Sequence, residues 1–399
     1  MRALILSAPI GAGHDTAARG VAAELEARGY HVEVDDGLAL LGGRVEGFVV
    51  GGYRFQLDRA AWSWRALYWL ARWSLVIRLV GAGLALVGGA RLVGRIDASR
   101  ATLVVSTYPL VSAALASLRR AGRLPVRCAT IVTDVDPHPA WIHSTLDANL
   151  TVGEAGRGRV VVRPPVAAWQ PSAGTRAVIR ARFGVSPTAK VVLIVGGAWG
   201  VGDLEGAARA SLDAGLEAVV VCGHNAPLAE RLKTVAGLER ALVVGYSRDL
   251  PGLMAAADVL IQNAGGLTCL EAFQAGLPVV MYRPLAGHGT ANARRMRHLG
   301  LVSVAADGTE LRTLLSTPGF WQTTGADQAA CARNIYDRPS CGEVLDAIVL
   351  PLRATRPVRR RVSAAVAIAA SFAAFGVVDA PAAIAVPLHG TAECVSAGR

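Results

Sequence analysis

The sequence contains almost no lysine. Of its 41 basic residues only Lys190 and Lys233 are lysine, and with 30 acidic residues the formal net charge is +11. A basic surface favours anionic lipid headgroups or phosphate groups as partners. The sequence has no nucleic-acid recognition motif, so we expect no nucleic-acid partner.

Cysteine is also sparse. The six cysteines include no CxxC pair, and none has the spacing to histidine that a metal site requires. This pattern is typical of reduced thiols in a cytosolic protein. The N-terminal sequence MRALILSAP lacks the charged segment, long apolar run and cleavage site of a secretory signal, so we expect no such signal.

Charged residues are few, at 18% of 399 residues, whereas 52% are hydrophobic; this excludes a disordered chain and allows two buried cores. Short apolar runs alternate with helical or turn-rich stretches. This alternation predicts an α/β fold with two doubly wound, Rossmann-like domains. The predicted strands are Ala3–Ala8, Tyr30–Val34, Leu103–Ser106, Ala129–Thr133, Val191–Val195, Ala218–Cys222, Ala241–Val244, Val259–Gln262, Val279–Tyr282 and Val302–Val304.

The proline-rich stretch Pro164–Gly174 blocks both helix and internal strand pairing, so it predicts an interdomain linker. We therefore expect domains at 1–165 and 175–352, followed by a basic and apolar tail at 353–399. Within that tail the uncharged run 362–378 follows three arginines and is at the short limit for a membrane span. The alternative is a tail that is poorly ordered outside the fold.

The stretch Tyr53–Ile96 departs from this scheme because it holds Trp62, Trp64, Trp69 and Trp73, half of the tryptophans in the protein, with arginines between them. Aromatic and basic residues on helices suit the bilayer interface, where rings lie at headgroup depth and basic groups meet phosphates. The alternative is that these helices cover a sheet as ordinary core helices. Both hold if different faces of the helices serve the two roles.

The first candidate motif is SAPIGAGHDTAA, in which a glycine-rich loop containing Gly13 and His14 follows the first strand. It does not match GxGxxG, so it gives little support for a dinucleotide site. A histidine at the carboxyl end of a parallel strand faces the ligand crevice and has a pKa suited to proton abstraction. His14 is therefore our candidate catalytic base.

The second motif is VTDVDPHPAWIHS, which follows the strand Ala129–Thr133. Its aspartates and histidines lack the further ligands of a recognisable metal site, so we expect none. Prolines, Trp141 and polar groups such as His138 instead suit a pocket for a sugar or a lipid headgroup. Asp134 is a second catalytic candidate because a carboxylate can orient His14 and raise its basicity.

The remaining motifs lie in the second predicted domain. Gly196 and Gly197 begin the loop GGAWGVG, whose backbone amides suit a diphosphate. A further strand leads to Gly265, Gly266 and Thr268 at a helix N-terminus, which also suits phosphate. The acidic residue one turn later can accept hydrogen bonds from ribose hydroxyls, and a polar loop further on can bond sugar hydroxyls. These side chains are Glu271, His288 and Asn292.

Four segments, taken in order, resemble the glycosyltransferase family that contains monogalactosyldiacylglycerol synthase and the processive diacylglycerol glucosyltransferases, known as family 28. The resemblance extends more distantly to the transferase that adds GlcNAc to undecaprenyl-linked muramyl peptide. The segments are GAGHDTAA, VTDVDPHPAWIH, VCGHNAPLAERL with the following VVGYSRDLPGLMAAADVLI, and the block Gly265–Asn292.

This resemblance implies a GT-B architecture and transfer of a hexose, with inversion, from a UDP-sugar co-substrate to a lipid such as diacylglycerol, with no metal or other cofactor. By the same resemblance His14 is the base, Gly13, His138 and Trp141 lie on the acceptor side, and the glycines, Thr268, Glu271, His288 and Asn292 bind the donor. The first domain then binds the acceptor at the cytoplasmic face of an anionic membrane.

Two departures leave the sugar and the acceptor open. Trp199 lies in the loop Gly196–Gly202 at a position where members of this family have a small or acidic residue. The segment Gly289–Ala291 lacks the glutamine-rich sequence that is usual in the family. The alternatives are a soluble transferase acting on a small natural product, a UDP-sugar epimerase, and a catalytically silent binding subunit. Exposure of the aromatic residues in 53–96 would favour a lipid acceptor, whereas their burial would favour a soluble one.

Overall fold

The computed structural model describes residues 1–59, 61–166, 173–263 and 266–349. Within these ranges the chain forms two parallel six-stranded sheets, and each sheet carries a hydrophobic cluster on either face. Sheets covered on both faces read as continuous apolar runs, which is why the short strands were visible in the sequence. The predicted α/β fold with two doubly wound sheets is confirmed.

The two sheets are built from successive halves of the chain. The strands of the first are β1 (Arg2–Ser7), β2 (His31–Asp36), β3 (Leu103–Ser106), β4 (Arg127–Val132), β5 (Ala148–Thr151) and β6 (Val160–Val161), in the order β2-β1-β3-β4-β5-β6. The strands of the second are β7 (Val191–Val195), β8 (Glu217–Val221), β9 (Leu242–Val244), β10 (Val259–Gln262), β11 (Val279–Tyr282) and β12 (Ser303–Ala305), in the order β12-β11-β10-β7-β8-β9.

Helices connect the strands in both halves. Those up to the end of the first sheet are α1 (Gly13–Glu26), α2 (Gly37–Leu41), α3 (Gly43–Arg59), α4 (Ala61–Leu70), α5 (Ser74–Ser99) and α6 (Pro109–Arg120). Those that follow are α7 (Ala173–Arg182), α8 (Leu204–Asp213), α9 (Ala226–Thr234), α10 (Leu250–Ala256), α11 (Leu267–Gln274), α12 (His288–His298), α13 (Gly308–Ser316), α14 (Gly325–Tyr336) and α15 (Cys341–Val349).

Helix α15 returns to the first sheet, which corrects the expected range 175–352 for the second domain. Its buried side chains join the hydrophobic cluster of β1 and α1. The Tyr30 hydroxyl donates to Asp346 over 2.8 Å, and the Gly342 amide donates to Glu24 over 2.8 Å. Alternation of strands and helices in a sequence does not reveal which sheet a terminal helix covers, so the prediction was wrong for this helix. The predicted membrane run 362–378 lies outside the described residues.

Helix α5 has two different faces. One packs closely on the first domain, where a Cβ on Gly81 would lie 2.5 Å from the Ala113 carbonyl oxygen and a Cβ on Gly88 would lie 2.4 Å from the Leu41 backbone. The other leaves Leu79 and Leu86 exposed. Among the residues described, α5 is the one helix long and apolar enough to cross a membrane, with a mean hydropathy of 1.7.

Candidate active site

The carboxyl ends of the two sheets face each other across a narrow cleft. On the first side lie the loop before α1 and the residues after β4, and on the second lies the N-terminus of α11. A Cβ on Gly266 would lie 2.6 Å from the Thr133 carbonyl oxygen, and one on Gly13 would lie 3.7 Å from the Leu267 side chain. Ligands of open parallel sheets bind at this edge, so the cleft is the candidate site.

His14 lies in the first turn of α1, on the cleft side of the first sheet. Its Nδ1 lies 2.6 Å from the carbonyl oxygen of Thr107, which follows β3. A carbonyl oxygen can only accept, so Nδ1 carries the proton and Nε2 carries the lone pair in the neutral ring. The backbone therefore fixes the tautomer that can take a proton at Nε2.

The surroundings of His14 keep its ring neutral. Burial lowers its pKa below the ordinary value, while the Thr107 carbonyl and the charge of Asp134 act in the opposite direction. Its ring stands edge-on to Tyr108, with centroids 5.1 Å apart, and lies 6.0 Å from the ring of Trp141. A neutral imidazole with a fixed Nδ1–H is the form a general base needs near neutral pH.

Asp134 is held by other partners than His14. One carboxylate oxygen accepts from the Trp141 indole N–H over 3.0 Å, and the other accepts from the Asn292 amide over 2.8 Å. The expectation that Asp134 orients His14 is therefore corrected, because the Thr107 carbonyl holds the ring. Asp134 acts on His14 through its charge rather than through a hydrogen bond.

His138 and Trp141 are buried in the loop after β4 instead of being open to a ligand. The Nε2–H of His138 donates to the Tyr68 carbonyl over 3.0 Å, and Nδ1 accepts from the Ala140 amide over 3.2 Å. Both nitrogens of His138 are thus occupied. In this structure His138 fastens helix α4 to the loop, and Trp141 packs beside His14; neither is presented as a direct acceptor contact.

Asn292 crosses the cleft from the second domain. Its side chain is fully buried, donates to Asp134 and accepts from the Asp136 amide over 2.9 Å. The expected contact between Asn292 and a donor sugar is not what the structure shows, because both ends of its amide are engaged by the first domain. The expected polar loop is instead the first turns of helix α12, and sequence spacing could not reveal the partner of Asn292 across the cleft.

The loop after β7 makes several backbone hydrogen bonds within its own domain. The amides of Gly196, Gly200 and Val201 donate to carbonyls within the second domain. Gly197 has a φ of +69°, which favours glycine. Three of the seven amides of Gly196–Gly202 therefore have acceptors within the domain, and Gly196 is one of them.

The N-terminus of α11 offers a clearer anion site. Gly266 is its N-cap and supplies no side-chain hydrogen bond, and the first turn holds no acidic residue and includes Thr268. Uncapped amides and the helix dipole favour an anion there. The predicted partner Gly265 lies outside the described residues. Glu271, one turn on, has a pKa raised to about 7 by burial, offset by the nearby Arg19.

His288 begins α12 and reaches the same space as His14. Burial lowers the pKa of His288, and the charge of Asp134 acts in the opposite direction. The two histidines influence each other electrostatically, since the presence of His288 lowers the pKa of His14. The cleft therefore brings together one histidine from each domain around the partly buried carboxylate of Asp134.

Several residues of the cleft were missed by the sequence analysis. Thr107 follows β3, so the rule that ligands gather at carboxyl ends of strands could have found it. Tyr53 lies 5.5 Å from Trp199, ring to ring, and joins α3 to the loop after β7. Tyr68 packs on His138 with centroids 4.2 Å apart. No local pattern predicts that α3 and α4 reach the cleft.

The chain is similar to curated lipid-modifying enzymes. It is 27% identical over 233 residues to the processive diacylglycerol beta-glucosyltransferase of Bacillus subtilis strain 168, covering 55% of this chain and 60% of that protein. It is 24% identical over 279 residues to the protein of the same name from Bacillus cereus strain ATCC 14579, covering 66% and 71%. The chain thus spans about three fifths of the length of the first relative. No protein-family model matches it.

Solved structures agree on the architecture. The spinosyn rhamnosyltransferase SpnG in complex with thymidine diphosphate superposes with a TM-score of 0.60 at 16% identity, covering 87% of this chain and all of that one. MurG of Acinetobacter baumannii gives a TM-score of 0.54 at 17% identity, covering 87% and 98%. The chain has the GT-B fold. In this GT-B cleft, the first sheet supplies His14 and Asp134, and the second supplies the α11 N-terminus and Glu271.

The resemblance in the four sequence segments is confirmed by the diacylglycerol glucosyltransferases that the chain matches. Among the residues that the structure describes, no group of three His, Cys, Asp or Glu side chains is placed to hold a metal ion. His14, Asp134 and His288 are the titratable groups that lie together in this GT-B cleft.

Proposed function

We propose that this chain is an inverting glycosyltransferase that moves a hexose from a UDP-sugar to a lipid acceptor such as diacylglycerol, at the cytoplasmic face of the membrane. The geometry of His14 carries this proposal. Its Nδ1–H is fixed on the Thr107 carbonyl, so that Nε2 is the basic atom, and it lies where the donor-side helices α11 and α12 meet the first domain. The similarity to diacylglycerol glucosyltransferases supports the choice of reaction.

In the proposed step, Nε2 of His14 takes the proton of the acceptor hydroxyl while its oxygen attacks the anomeric carbon. The bond between that carbon and the UDP oxygen breaks, and UDP departs from the opposite face, so the anomeric configuration inverts. The His14 imidazolium then releases its proton to water or to the departing diphosphate. A general base placed in this way contributes about 10²- to 10⁴-fold to the rate.

On the donor side, the uncapped N-terminus of α11 is proposed to meet the diphosphate, and Glu271 the ribose. Backbone amides and the helix dipole would neutralise the leaving charge, so we propose that transfer requires no metal. The complex of SpnG with thymidine diphosphate supports a nucleoside diphosphate in a cleft of this fold. In the ionised form that prevails above pH 7, Glu271 accepts hydrogen bonds from hydroxyl groups.

A lipid acceptor is favoured by the outer surface of helices α3 to α5, which we term the apolar face. It exposes bulky apolar side chains that a soluble domain ordinarily buries. They are Phe48, Phe55, Leu67, Trp69, Leu70, Trp73, Leu75, Leu79, Val80, Leu86 and Val87. Arg65 and Arg78 are exposed on the same helices, and Arg72 is exposed in the turn between α4 and α5. Interfacial helices combine apolar insertion with attraction to anionic headgroups.

The position of α5 favours binding to the membrane surface. One side of this helix is packed against α6 and α2, so the opposite side can enter the bilayer interface only while the domain lies on the membrane. The His138 bond to the Tyr68 carbonyl then joins the apolar face to the loop of Asp134. A lipid hydroxyl at headgroup depth would thus lie beside the cleft.

The experiment that tests this function measures release of the nucleoside diphosphate, UDP or dTDP, by the purified chain with a panel of UDP-sugars and dTDP-sugars. Each donor is supplied with anionic vesicles that contain or lack diacylglycerol, with and without EDTA. We expect release from one UDP-sugar that depends on diacylglycerol, resists EDTA and is lost in His14→Ala. The matched control His31→Ala, a change at an exposed histidine, should retain activity.

Other outcomes would contradict specific parts of the proposal. Release without diacylglycerol, matched by transfer to a small soluble acceptor, would replace the lipid acceptor. Conversion of the donor to an epimer would replace transfer altogether. Loss of activity with EDTA that Mg²⁺ restores would contradict metal independence, and full activity of His14→Ala would remove the base.

A further inference from the structure

A hydrogen-bonded bridge crosses the cleft at Asn292. We propose that Asn292 is a positioning residue that couples closure of the cleft to the basicity of His14. This inference rests on the proposed function, because it assigns to a donor-domain side chain the task of preparing the base in the acceptor domain.

The bridge is complete at both ends. The Asn292 amide nitrogen donates to one Asp134 oxygen over 2.8 Å, and its oxygen accepts from the Asp136 amide over 2.9 Å. The second Asp134 oxygen accepts from the Trp141 indole over 3.0 Å. Asn292 is fully buried and Trp141 nearly so. Each carboxylate and amide group of the bridge therefore has a hydrogen-bond partner.

Closure at this point is specific in register. A buried amide leaves little tolerance for misalignment, because an unmatched donor or acceptor costs more than a made hydrogen bond contributes. The close approach of Gly266 to the Thr133 carbonyl, immediately before Asp134, constrains the same region. The two domains therefore meet in one defined arrangement that includes the bridge.

The bridge ends beside the base. Trp141, fixed by Asp134, lies 6.0 Å from the His14 ring. Burial lowers the pKa of His14, and Leu267 and His288 of the second domain add to the surroundings that the first domain provides; the Thr107 carbonyl, Asp134 and Asp15 raise the pKa. The other groups that face the ring are Tyr108 and His288.

Opening the cleft moves the pKa of His14 in a defined direction. Burial is the largest influence on the ring, and it lowers the pKa. When the domains separate, Leu267 and His288 move away and this influence is reduced, so the pKa of His14 rises toward its ordinary value. Because the base acts in its neutral form, a higher pKa moves the acid limb of the kcat/KM profile to higher pH.

The first test replaces Asn292 by alanine in the full-length chain. We expect Asn292→Ala to raise the pKa of His14. NMR titration of ¹³C-labelled histidine without substrate measures this pKa, and comparison with His14→Gln assigns the His14 signal. We also expect kcat/KM to fall about tenfold at pH 6 and less at pH 8. A tenfold fall corresponds to the free energy of about one lost hydrogen bond.

A charge swap supplies the rescue. In the double variant Asp134→Asn/Asn292→Asp, the new amide at position 134 donates to the carboxylate at position 292 and still accepts from Trp141, while that carboxylate accepts from the Asp136 amide. Every bond of the bridge is thus retained with the charge moved to the other domain. We expect the swap to restore the acid limb and the pKa of His14 most of the way to wild type.

Asn149 provides a matched control. It is also a buried asparagine, at 2% exposure, and it bonds the His143 amide and carbonyl and the Gly158 carbonyl within the first domain alone. Asn149→Ala should lower the melting temperature without moving either the pKa of His14 or the acid limb. An equal shift in this variant would mean that any loss of stability produces the effect.

Two results would overturn the inference. One is an unchanged pKa of His14 in a folded Asn292→Ala, and the other is a swap variant that folds yet behaves like Asn292→Ala. The NMR titration needs no turnover, so it remains decisive if the proposed transfer reaction proves wrong. Absence of transfer in the wild type with an intact titration shift would instead reject the proposed function alone.

Discussion

The two sides of the cleft present different chemical groups. The first domain supplies side chains: the partly buried imidazole of His14, which packs against Tyr108 and Trp141, and the Asp134 carboxylate, which accepts from Trp141. The second supplies mainly backbone, an uncapped helix N-terminus at Gly266, with Glu271 and His288 behind it. Side chains can exchange protons, whereas amides and a helix dipole can hold an anion of fixed charge. Under the proposed function, this difference assigns the acceptor to the first domain and the donor to the second.

Removing the base should impair the function of the first domain and leave donor binding by the second domain intact. We expect His14→Gln to lower kcat about a thousandfold, within the range for a general base, while KM for the donor stays near wild type. Steady-state kinetics with the preferred UDP-sugar measure both. An equal rise in KM would show that His14 also holds the donor, and the comparison between the two sides would fail.

Charging the apolar face should separate membrane binding from chemistry. The double variant Leu75→Glu/Leu79→Glu is expected to weaken binding to anionic vesicles about a hundredfold, because two apolar contacts are lost and two negative charges are added. Vesicle sedimentation measures the binding. Val178→Glu on α7 is the control, because Val178 is 69% exposed and Leu75 is 63% exposed. Equal losses in both would contradict a dedicated face.

Changing Glu271 should affect the second side. Glu271→Gln is expected to raise KM for the donor about tenfold through loss of a charge-assisted hydrogen bond, with kcat nearly unchanged. Because burial raises the pKa of Glu271 to about 7, the wild-type KM should also rise as pH falls below 7. Initial rates over donor concentration at pH 6 and pH 8 check both. A Glu271→Gln variant that lowers kcat alone would place this carboxyl in the chemistry.

Adding a methyl group between the domains should test whether activity requires their close approach. Gly266→Ala places a Cβ 2.6 Å from the Thr133 carbonyl oxygen, so the cleft must open slightly and we expect kcat/KM to fall about fivefold. Gly13→Ala meets only the Leu267 side chain at 3.7 Å and should cost less. Melting temperatures of both variants should stay close to wild type. A larger effect from Gly13→Ala would mean that the α1 loop, not the α11 contact, limits closure.

The smallest predicted effect concerns stability. The pKa of Glu271 in the folded chain is raised to about 7, so its favourable contribution is present at low pH and is lost as pH rises through 7. Glu271→Gln should therefore raise the melting temperature of the ligand-free chain at pH 8 and leave it nearly unchanged at pH 4. Calorimetry at the two values checks this. A stabilisation that is equal at both would contradict the cause.

Much of the fold could be predicted from the sequence because its strands are continuous apolar runs. Leu103–Ser106, Val191–Val195, Val259–Gln262 and Val279–Tyr282 were placed at their observed bounds. Strands β5 and β6 were missed, since one carries the polar Asn149 and the other has two residues. Short strands such as these depend on their neighbours for pairing and leave little local pattern.

The site was predictable only as far as single loops allow. His14 and Glu271 stand at strand or helix ends, where position in the element indicates the crevice. Asp134 and Asn292 are 158 positions apart in the sequence and meet only across the cleft. The roles of His138 and Trp141 likewise depend on helix α4 and on burial, which sequence spacing does not contain. For the same reason the predicted site roles remain predictions for the experiments above.

The most direct measurement of the central claim is the anomeric configuration of the lipid product. The chain would be incubated with its preferred α-linked UDP-sugar and vesicles containing diacylglycerol, and the glycolipid analysed by proton NMR. A single displacement by an acceptor that His14 has deprotonated predicts a β-linked product, absent with His14→Ala. An α-linked product, or a β-linked product formed equally well without His14, would contradict the account.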